Sequence, residues 1–141
     1  MIKLYKESLI RGLNKGLRTT WELTKIVVPI YFLVTFLKYT PLLSWISDIF
    51  APTMSILGLP GEASLPLVLG NMINLYAGIG AMASLNLTGK QVTILAVMLS
   101  FSHSLFLETV VASKTGMNTK IVLAIRFILA FVFGFLVNII I

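Results

Sequence analysis

Apolar stretches alternate with short charged or glycine-rich segments along this chain, and that pattern defines its fold class. Residues 65–83 form an uncharged run, and residues 121–141 carry a single charge. A helix needs about 20 predominantly apolar residues to span a bilayer. The pattern therefore predicts an all-α polytopic membrane protein with about three full transmembrane spans, in one membrane domain over residues 1–141.

The same pattern divides the domain into six segments. They are an amphipathic interfacial helix at 1–20, a span at 21–39, an interface helix at 40–58, a re-entrant hairpin or broken helix at 59–86, a span with a polar second half at 91–112, and a last span at 121–141. For residues 40–58, a shallow span is the alternative. The amino terminus is predicted to be cytoplasmic, because the basic residues concentrate before the first apolar run.

The first twenty residues place apolar and basic side chains at helical spacing. The apolar positions are Leu4, Ile10, Leu13 and Leu17, and the basic ones are Lys3, Lys6, Arg11, Lys15 and Arg18. A basic amphipathic helix of this kind lies in the headgroup plane of a membrane. A solvated cytoplasmic arm is the alternative.

The stretch 57–67 interrupts the apolar pattern with two prolines, two glycines and the carboxylate Glu62. Non-helical backbone at membrane depth is tolerated only where it is buried in protein or faces a watery cavity. Intramembrane carboxylates are costly and commonly functional. We therefore predict Glu62 and its neighbour Ser64 as ligand contacts, with a helix-capping role for Glu62 as the alternative.

Two further features of residues 59–86 suggest a site or a close packing contact. Asn71 and Asn74 are three positions apart and are predicted to share one helix face as ligand-binding amides. Gly78 and Gly80 would let another backbone or a ligand come close.

A second polar cluster occupies the later half of the 91–112 span. Ser102, His103, Ser104 and Glu108 are predicted ligand-binding residues. His103 and Glu108 would lie about 140° apart on a continuous helix, so they meet only if the helix breaks or if they face a cavity from two walls. Histidine titrates near neutrality, which makes a proton relay an option. Arg126 in the last span either snorkels to the interface or pairs with Glu108.

Composition narrows the function classes. The chain is 57% hydrophobic and 11% charged, against about 25% charged in a soluble domain. The net charge of +6 is concentrated before the first span, which favours a membrane-flanking role over nucleic-acid binding. Without cysteine and with one histidine, the chain is a poor candidate for a transition-metal site. Hydrolase and nucleotide-loop motifs are absent, so no catalytic residue and no enzyme activity are predicted.

These motifs resemble the nucleoside-recognition or "gate" domain family. The resemblance rests on Gly-Leu-Pro-Gly-Glu62-Ala-Ser-Leu-Pro-Leu and on Ser102-His103-Ser104, Glu108 and Lys114-Thr-Gly, and it extends from about Thr20 to Asn138. The family includes small stand-alone bacterial membrane proteins and the spore maturation proteins A and B. Concentrative nucleoside transporters and the ferrous-iron transporter are related more distantly.

The resemblance implies a site. In the transporters, re-entrant hairpins and broken helices present carboxylates and amides to a nucleoside at mid-membrane. By motif, Glu62 corresponds to a hairpin-tip carboxylate, and His103 and Glu108 to the broken-helix site. This chain lacks the Gln-Thr-Glu type signature and resembles only one of the two repeats of a transporter fold, which implies a homodimer or higher homo-oligomer.

The resulting expectation is a bacterial inner-membrane protein that binds or transports a small solute, with a nucleoside as the implied ligand. Glu62 and the His103/Glu108 segment would line one polar cavity. No cofactor is expected, and Na⁺ or H⁺ are the candidate coupling cations. The alternative is a non-transporting membrane assembly subunit of the spore-maturation type, in which the polar residues mediate helix contacts. The lipid bilayer is the expected surrounding in both cases.

Overall fold

The chain folds into helices joined by short turns. This computed structural model describes the backbone of residues 2–141 and the side chains of residues 5–141, and that part contains no strand. The helices are α1 (Ile2–Lys38), α2 (Pro41–Ile56), a 3-10 turn (Gly61–Ala63), α3 (Ser64–Met72), α4 (Leu75–Ser84), α5 (Gly89–Ser102), α6 (Leu105–Lys114) and α7 (Thr119–Ile140).

Three segments are long and apolar enough to cross a membrane: Tyr5–Lys38, Gly89–Lys114 (which comprises α5 and α6) and Thr119–Ile140. The helix pair α2 and Gly61–Met72 would form a fourth crossing, but it is bent by 90°. Large apolar side chains cover much of the outer surface, as expected where lipid is the surrounding solvent. The predicted all-α polytopic membrane fold is confirmed.

Helix α1 differs from the prediction of two separate segments at 1–20 and 21–39. It is one continuous helix of 37 residues, about 55 Å long at 1.5 Å per residue. The helix continues because no glycine pair or proline interrupts it between Gly16 and Pro29. Side chains 5–22 are exposed, so the amphipathic face has no partner within the described residues. The side chains of Lys3 and Leu4 lie outside the described residues.

Helices α3 and α4 form a hairpin of two short helices between residues 64 and 84. The chain turns at Ile73 and Asn74, and the Asn74 Oδ1 atom accepts a hydrogen bond from the Ala77 backbone N–H at 3.0 Å. A methyl group on Gly78 would lie 3.0 Å from the Pro66 carbonyl of α3, and one on Gly80 would lie 2.9 Å from the Val27 carbonyl of α1. The prediction that both glycines permit close backbone approach is confirmed.

The span predicted at 91–112 is broken in the structure. Helix α5 ends at Ser102, His103 is extended, and Ser104 has a left-handed conformation with φ 52° before α6 begins. The Ser104 N–H donates to the Gly70 carbonyl of α3 at 2.9 Å, which compensates for a lost helical hydrogen bond. The break therefore ties α5 and α6 to the α3–α4 hairpin.

The largest group of buried apolar residues lies where α5 packs between α2, α3 and α7. Its centre is formed by Ile94, Leu95, Met98 and Leu99 of α5, each at most 1% exposed. A second group joins α1 to α4 and α2. Helix α5 is thus the central element, and the polar residues at its carboxyl end are fixed by packing on several sides.

Candidate functional site

An apolar cavity of about 340 Å³ opens between α2, α3, α5 and α7. The phenyl rings of Phe50, Phe127 and Phe131 form part of its wall, and Met54 and Met98 add thioether side chains. Pockets for small organic ligands commonly measure about 300–1,000 Å³ and combine apolar walls with a few polar groups. The volume of this cavity lies near the lower end of that range, and its lining has the same mixture of apolar walls and a few polar groups.

Three of the predicted site residues reach this cavity: Ser64 and Asn71 from α3 and Ser102 from α5. The Ser102 hydroxyl donates to the Met98 carbonyl of its own helix at 2.9 Å. In contrast, Ser64 Oγ and Asn71 Oδ1 are buried and have no hydrogen-bond partner among the described residues. Ser64 as a whole is 2% exposed. An unsatisfied buried polar group costs about 1–3 kcal/mol. A group that donates a hydrogen bond to either oxygen would therefore stabilise the protein.

The cavity carries no charged side chain among its described lining residues. Placing a net charge there would require desolvation without a counter-ion, which is strongly unfavourable. The walls and the two unpartnered oxygens instead suit an uncharged molecule with an apolar or aromatic face and at least one hydrogen-bond donor.

A second polar cluster lies at the break between α5 and α6. His103 Nε2 is 3.4 Å from Glu108 Oε1, and the other Glu108 oxygen pairs with the Arg126 guanidinium of α7. The two residues meet because the helix breaks, which is one of the two conditions anticipated from the sequence. The predicted pairing of Arg126 with Glu108, rather than snorkelling of Arg126 to the interface, is likewise confirmed. His103 Nδ1 lies 2.8 Å from the Leu99 carbonyl, and since a carbonyl can only accept, Nδ1 carries the proton.

Arg126 also caps the end of α5. Its Nε donates to the Phe101 carbonyl at 2.7 Å and its Nη2 to the His103 carbonyl at 3.1 Å. A cation at a helix carboxyl end and a carboxylate in a first helical turn, as Glu108 is in α6, are both favoured by the helix dipoles. Arg126 is therefore a central residue of this cluster, although the sequence singled it out only as a pairing partner.

Glu62 occupies a third location. It lines a polar pocket of about 310 Å³ with Ser44, Ser47 and Asp48 of α2 and with Lys38. The Lys38 ammonium donates to the Ser84 carbonyl at 3.0 Å, which fixes the end of α1 against α4. This differs from the expectation of one polar cavity, because Glu62 lines this pocket whereas Ser64, two residues later, lines the apolar cavity, and His103 lines neither.

The remaining predicted residues have structural contacts. Asn74 caps α4, so the expected shared face with Asn71 is not formed; the chain leaves the helix between them, and only Asn71 reaches the cavity. Ser104 supplies the left-handed turn of the helix break. Within the described residues there is no group of three or more His, Cys, Asp or Glu side chains that could hold a metal ion.

Comparison with known proteins finds a matching family model and related membrane proteins. A family model described as "Gate: Nucleoside recognition" matches residues 20–118. The chain is 47% identical over 135 residues to a Bacillus subtilis protein named "Uncharacterized membrane protein YvoD", which covers 96% of this chain and 43% of that protein. It is 36% identical over 94 residues to "Inner membrane protein YjiG" of Escherichia coli K12, covering 63% of this chain and 61% of the relative.

The chain thus spans less than two thirds of the length of either relative. No solved structure matches it.

Proposed function

The chain belongs to the Gate family of nucleoside-recognition membrane proteins, and on that premise we propose that it binds a small uncharged solute in the cavity between α2, α3, α5 and α7. Nucleosides are the first candidates, because they combine a flat base with several hydrogen-bond donors and carry no net charge. The observation that carries the proposal is that Ser64 and Asn71, whose side-chain oxygens are buried without a hydrogen-bond partner among the described residues, both line that cavity.

The chemistry of the walls supports this choice of solute class. Aromatic rings such as Phe50, Phe127 and Phe131 offer stacking surfaces to a planar base. The Asn71 carbonyl oxygen accepts a hydrogen bond from an amino, imino or hydroxyl group, and the Ser64 hydroxyl can donate or accept. A solute that donates a hydrogen bond to either oxygen would remove the cost of leaving that oxygen unsatisfied, which favours binding.

We further propose that a proton, rather than sodium, is the cation linked to solute binding. Nε2 of His103 is the free ring nitrogen, and it faces Glu108 Oε1 across 3.4 Å. A proton on Nε2 would turn two acceptors that face each other into a donor and an acceptor. Sodium is less suited, because it prefers several oxygen ligands, and one carboxylate oxygen already pairs with Arg126.

The proposed proton site and the solute cavity are connected through the backbone. Ser102 lines the cavity one residue before His103, and Ser104 bonds to Gly70, which directly precedes Asn71. A change in the geometry of the helix break would therefore reach Ser102 and Asn71 in the wall of the cavity. This is the physical basis for the linkage in the proposal.

The proposed membrane arrangement follows from helix lengths. Helices α3 and α4 have 9 and 10 residues, so each reaches about half of a 30 Å hydrocarbon layer. We propose that they form a re-entrant hairpin and that the protein lies in the bacterial inner membrane with its amino terminus in the cytoplasm. Because the cavity is only partly enclosed by this chain, we propose that a second copy completes it in a homodimer.

A thermal-shift experiment on the purified, detergent-solubilised protein tests the binding proposal. The panel contains uncharged nucleosides, nucleobases, charged nucleotides and sodium chloride, each at matched ionic strength. Wild type is compared with Asn71→Leu, which removes the amide from the cavity, and with Ser100→Ala, an exposed serine that bonds only to the Val97 carbonyl of its own helix.

The expected result is stabilisation by one or more uncharged nucleosides in wild type and in Ser100→Ala, and its loss in Asn71→Leu. Stabilisation by nucleotides but not nucleosides would contradict the uncharged-solute class. A flat panel with folded protein would contradict the binding proposal and favour the assembly-subunit alternative, for which the next experiment is a search for partner proteins.

A further inference from the structure

A second apolar groove, distinct from the cavity, runs along the outer surface between α6 and α7. It encloses about 620 Å³ and is lined by Leu105, Phe106 and Val110 of α6 and by Leu123, Ala124 and Phe127 of α7. Phe106 is 64% exposed at its margin. The groove begins beside the turn that joins the two helices and extends along helices that lie within the membrane.

The only charged side chain in the described lining of this groove is Lys120, in the first turn of α7. Lys114 lies in the last turn of α6, on the other side of the same turn. Neither lysine forms an ion pair among the described side chains. The groove therefore combines an apolar floor at hydrocarbon depth with two cations at the level of the lipid headgroups.

We infer that this groove binds one anionic phospholipid, with its phosphate at Lys120 and an acyl chain against Phe106, Val110 and Leu123. Basic groups at the end of an apolar groove between membrane helices favour anionic headgroups. A zwitterionic lipid would fill the apolar floor equally well, but the cation in its own headgroup offsets its phosphate, so two lysines favour a lipid with a net negative charge. The inference goes beyond the proposed solute site and does not depend on it.

The charges also favour lipid over a second copy of the chain in this groove. A two-fold contact through the same surface would place Lys114 and Lys120 near their own counterparts. The one carboxylate of α6 and α7, Glu108, already pairs with Arg126 and so cannot neutralise them. Anionic phospholipid supplies the missing negative charge directly.

Phe127 links the groove to the interior, because its ring lines both the groove and the solute cavity. An acyl chain in the groove would contact the outer side of this ring and restrict its rotamers. Lipid occupancy is thus expected to stiffen one wall of the cavity.

Native mass spectrometry of the full chain, delipidated and then titrated with lipid, tests the inference. Dioleoyl phosphatidylglycerol is compared with dioleoyl phosphatidylcholine, so that the chains are identical and only the headgroup charge differs. The variants are Lys120→Gln, which removes the charge, and Ala124→Phe, which fills the groove. Lys15→Gln on the exposed part of α1 is the matched control. Circular dichroism establishes that each variant is folded.

We expect wild type and Lys15→Gln to retain phosphatidylglycerol more strongly than phosphatidylcholine. Lys120→Gln should lower phosphatidylglycerol retention about fivefold, the ratio that corresponds to about 1 kcal/mol per basic residue at an anionic surface. Ala124→Phe should lower the retention of both lipids.

Three results would overturn the inference. The first is equal retention of the two lipids by wild type. The second is loss of phosphatidylglycerol in Lys15→Gln but not in Lys120→Gln, which would place the lipid on α1. The third is conversion of a dimer to a monomer by Ala124→Phe with lipid retention unchanged, which would make a second copy the occupant.

Discussion

His103 and Glu108 face each other across the break between α5 and α6, with Nε2 3.4 Å from Oε1. On a continuous helix these residues would point about 140° apart. The left-handed conformation of Ser104 redirects the chain and brings them together, while Arg126 neutralises the carboxylate from α7. A cluster of three ionisable side chains is thus assembled at the one point where the central helix is interrupted.

The first prediction concerns the tautomer of His103. Because Nδ1 donates to the Leu99 carbonyl at 2.8 Å, the neutral ring should carry its proton on Nδ1. The chain contains one histidine, so a ¹⁵N-histidine-labelled sample gives a single imidazole and long-range ¹⁵N–¹H correlations report the tautomer directly. Glu108→Gln should leave the Nδ1–H tautomer in place. A dominant Nε2–H tautomer would show that the bond to Leu99 is not formed.

The second prediction concerns Arg126 as the cap of α5. Arg126→Gln should lower the free energy of unfolding by roughly 2–4 kcal/mol, because two charge-assisted hydrogen bonds to carbonyl groups are lost. The Glu108 carboxylate would also lose its cationic partner. Arg126→Lys should recover only part of the loss, since an ammonium cannot reproduce the planar fork of donors.

Arg18→Gln, on the exposed part of α1, is the control for Arg126. Unfolding temperature followed by tryptophan fluorescence provides the measurement. Equal stability of Arg126→Gln and Arg18→Gln would mean that the helix break is held without the guanidinium.

The third prediction separates binding from stability at Ser64. Its hydroxyl is buried and unpartnered, so Ser64→Ala should leave the unfolding temperature of the solute-free protein unchanged or raise it. The same substitution should weaken solute binding about tenfold, the ratio that corresponds to one lost hydrogen bond of about 1.4 kcal/mol. Both quantities come from one thermal-shift series with and without solute. A clear loss of solute-free stability would instead assign the hydroxyl a structural bond.

The fourth prediction concerns the packing of α4 on α1. Gly80→Ala would place a methyl group 2.9 Å from the Val27 carbonyl, so it should cost about 1–3 kcal/mol through displacement of the two helices. Gly12→Ala in α1 is the matched control, because no other atom lies within 4 Å of the added methyl group. There, alanine should stabilise the helix by up to about 1 kcal/mol. Similar unfolding temperatures for the two variants would contradict the observed helix contact.

Much of the fold could be predicted from the sequence, because proline and glycine mark several of its turns. The turns at Gly58, with φ 68°, and at Gly116, with φ 78°, are examples. The break at His103 was harder to predict, since residues 97–112 contain neither proline nor glycine. It depends on tertiary contacts, namely the bonds from Ser104 to Gly70 and from Arg126 to the end of α5.

The candidate cavity was only partly predictable. The sequence marks Ser64, Asn71 and Ser102 as polar residues in apolar surroundings, but nothing in it distinguishes Phe127 and Phe131 from the lipid-facing phenylalanines of the same helix. The sequence alone predicts that Glu62 and His103 share one cavity, because motif order does not show that Glu62 and Ser64 line different pockets. The cavity forms where four helices converge, and that is a property of packing rather than of local pattern.

Saturation binding of tritiated uridine and adenosine to the purified protein in nanodiscs is the decisive experiment for solute binding in the cavity. We expect saturable binding of at least one nucleoside to wild type, competition by the unlabelled nucleoside but not by its 5′-monophosphate, and loss of binding in Asn71→Leu but not in Ser100→Ala. Absence of saturable binding to folded wild type, or binding that survives in Asn71→Leu, would contradict this expectation.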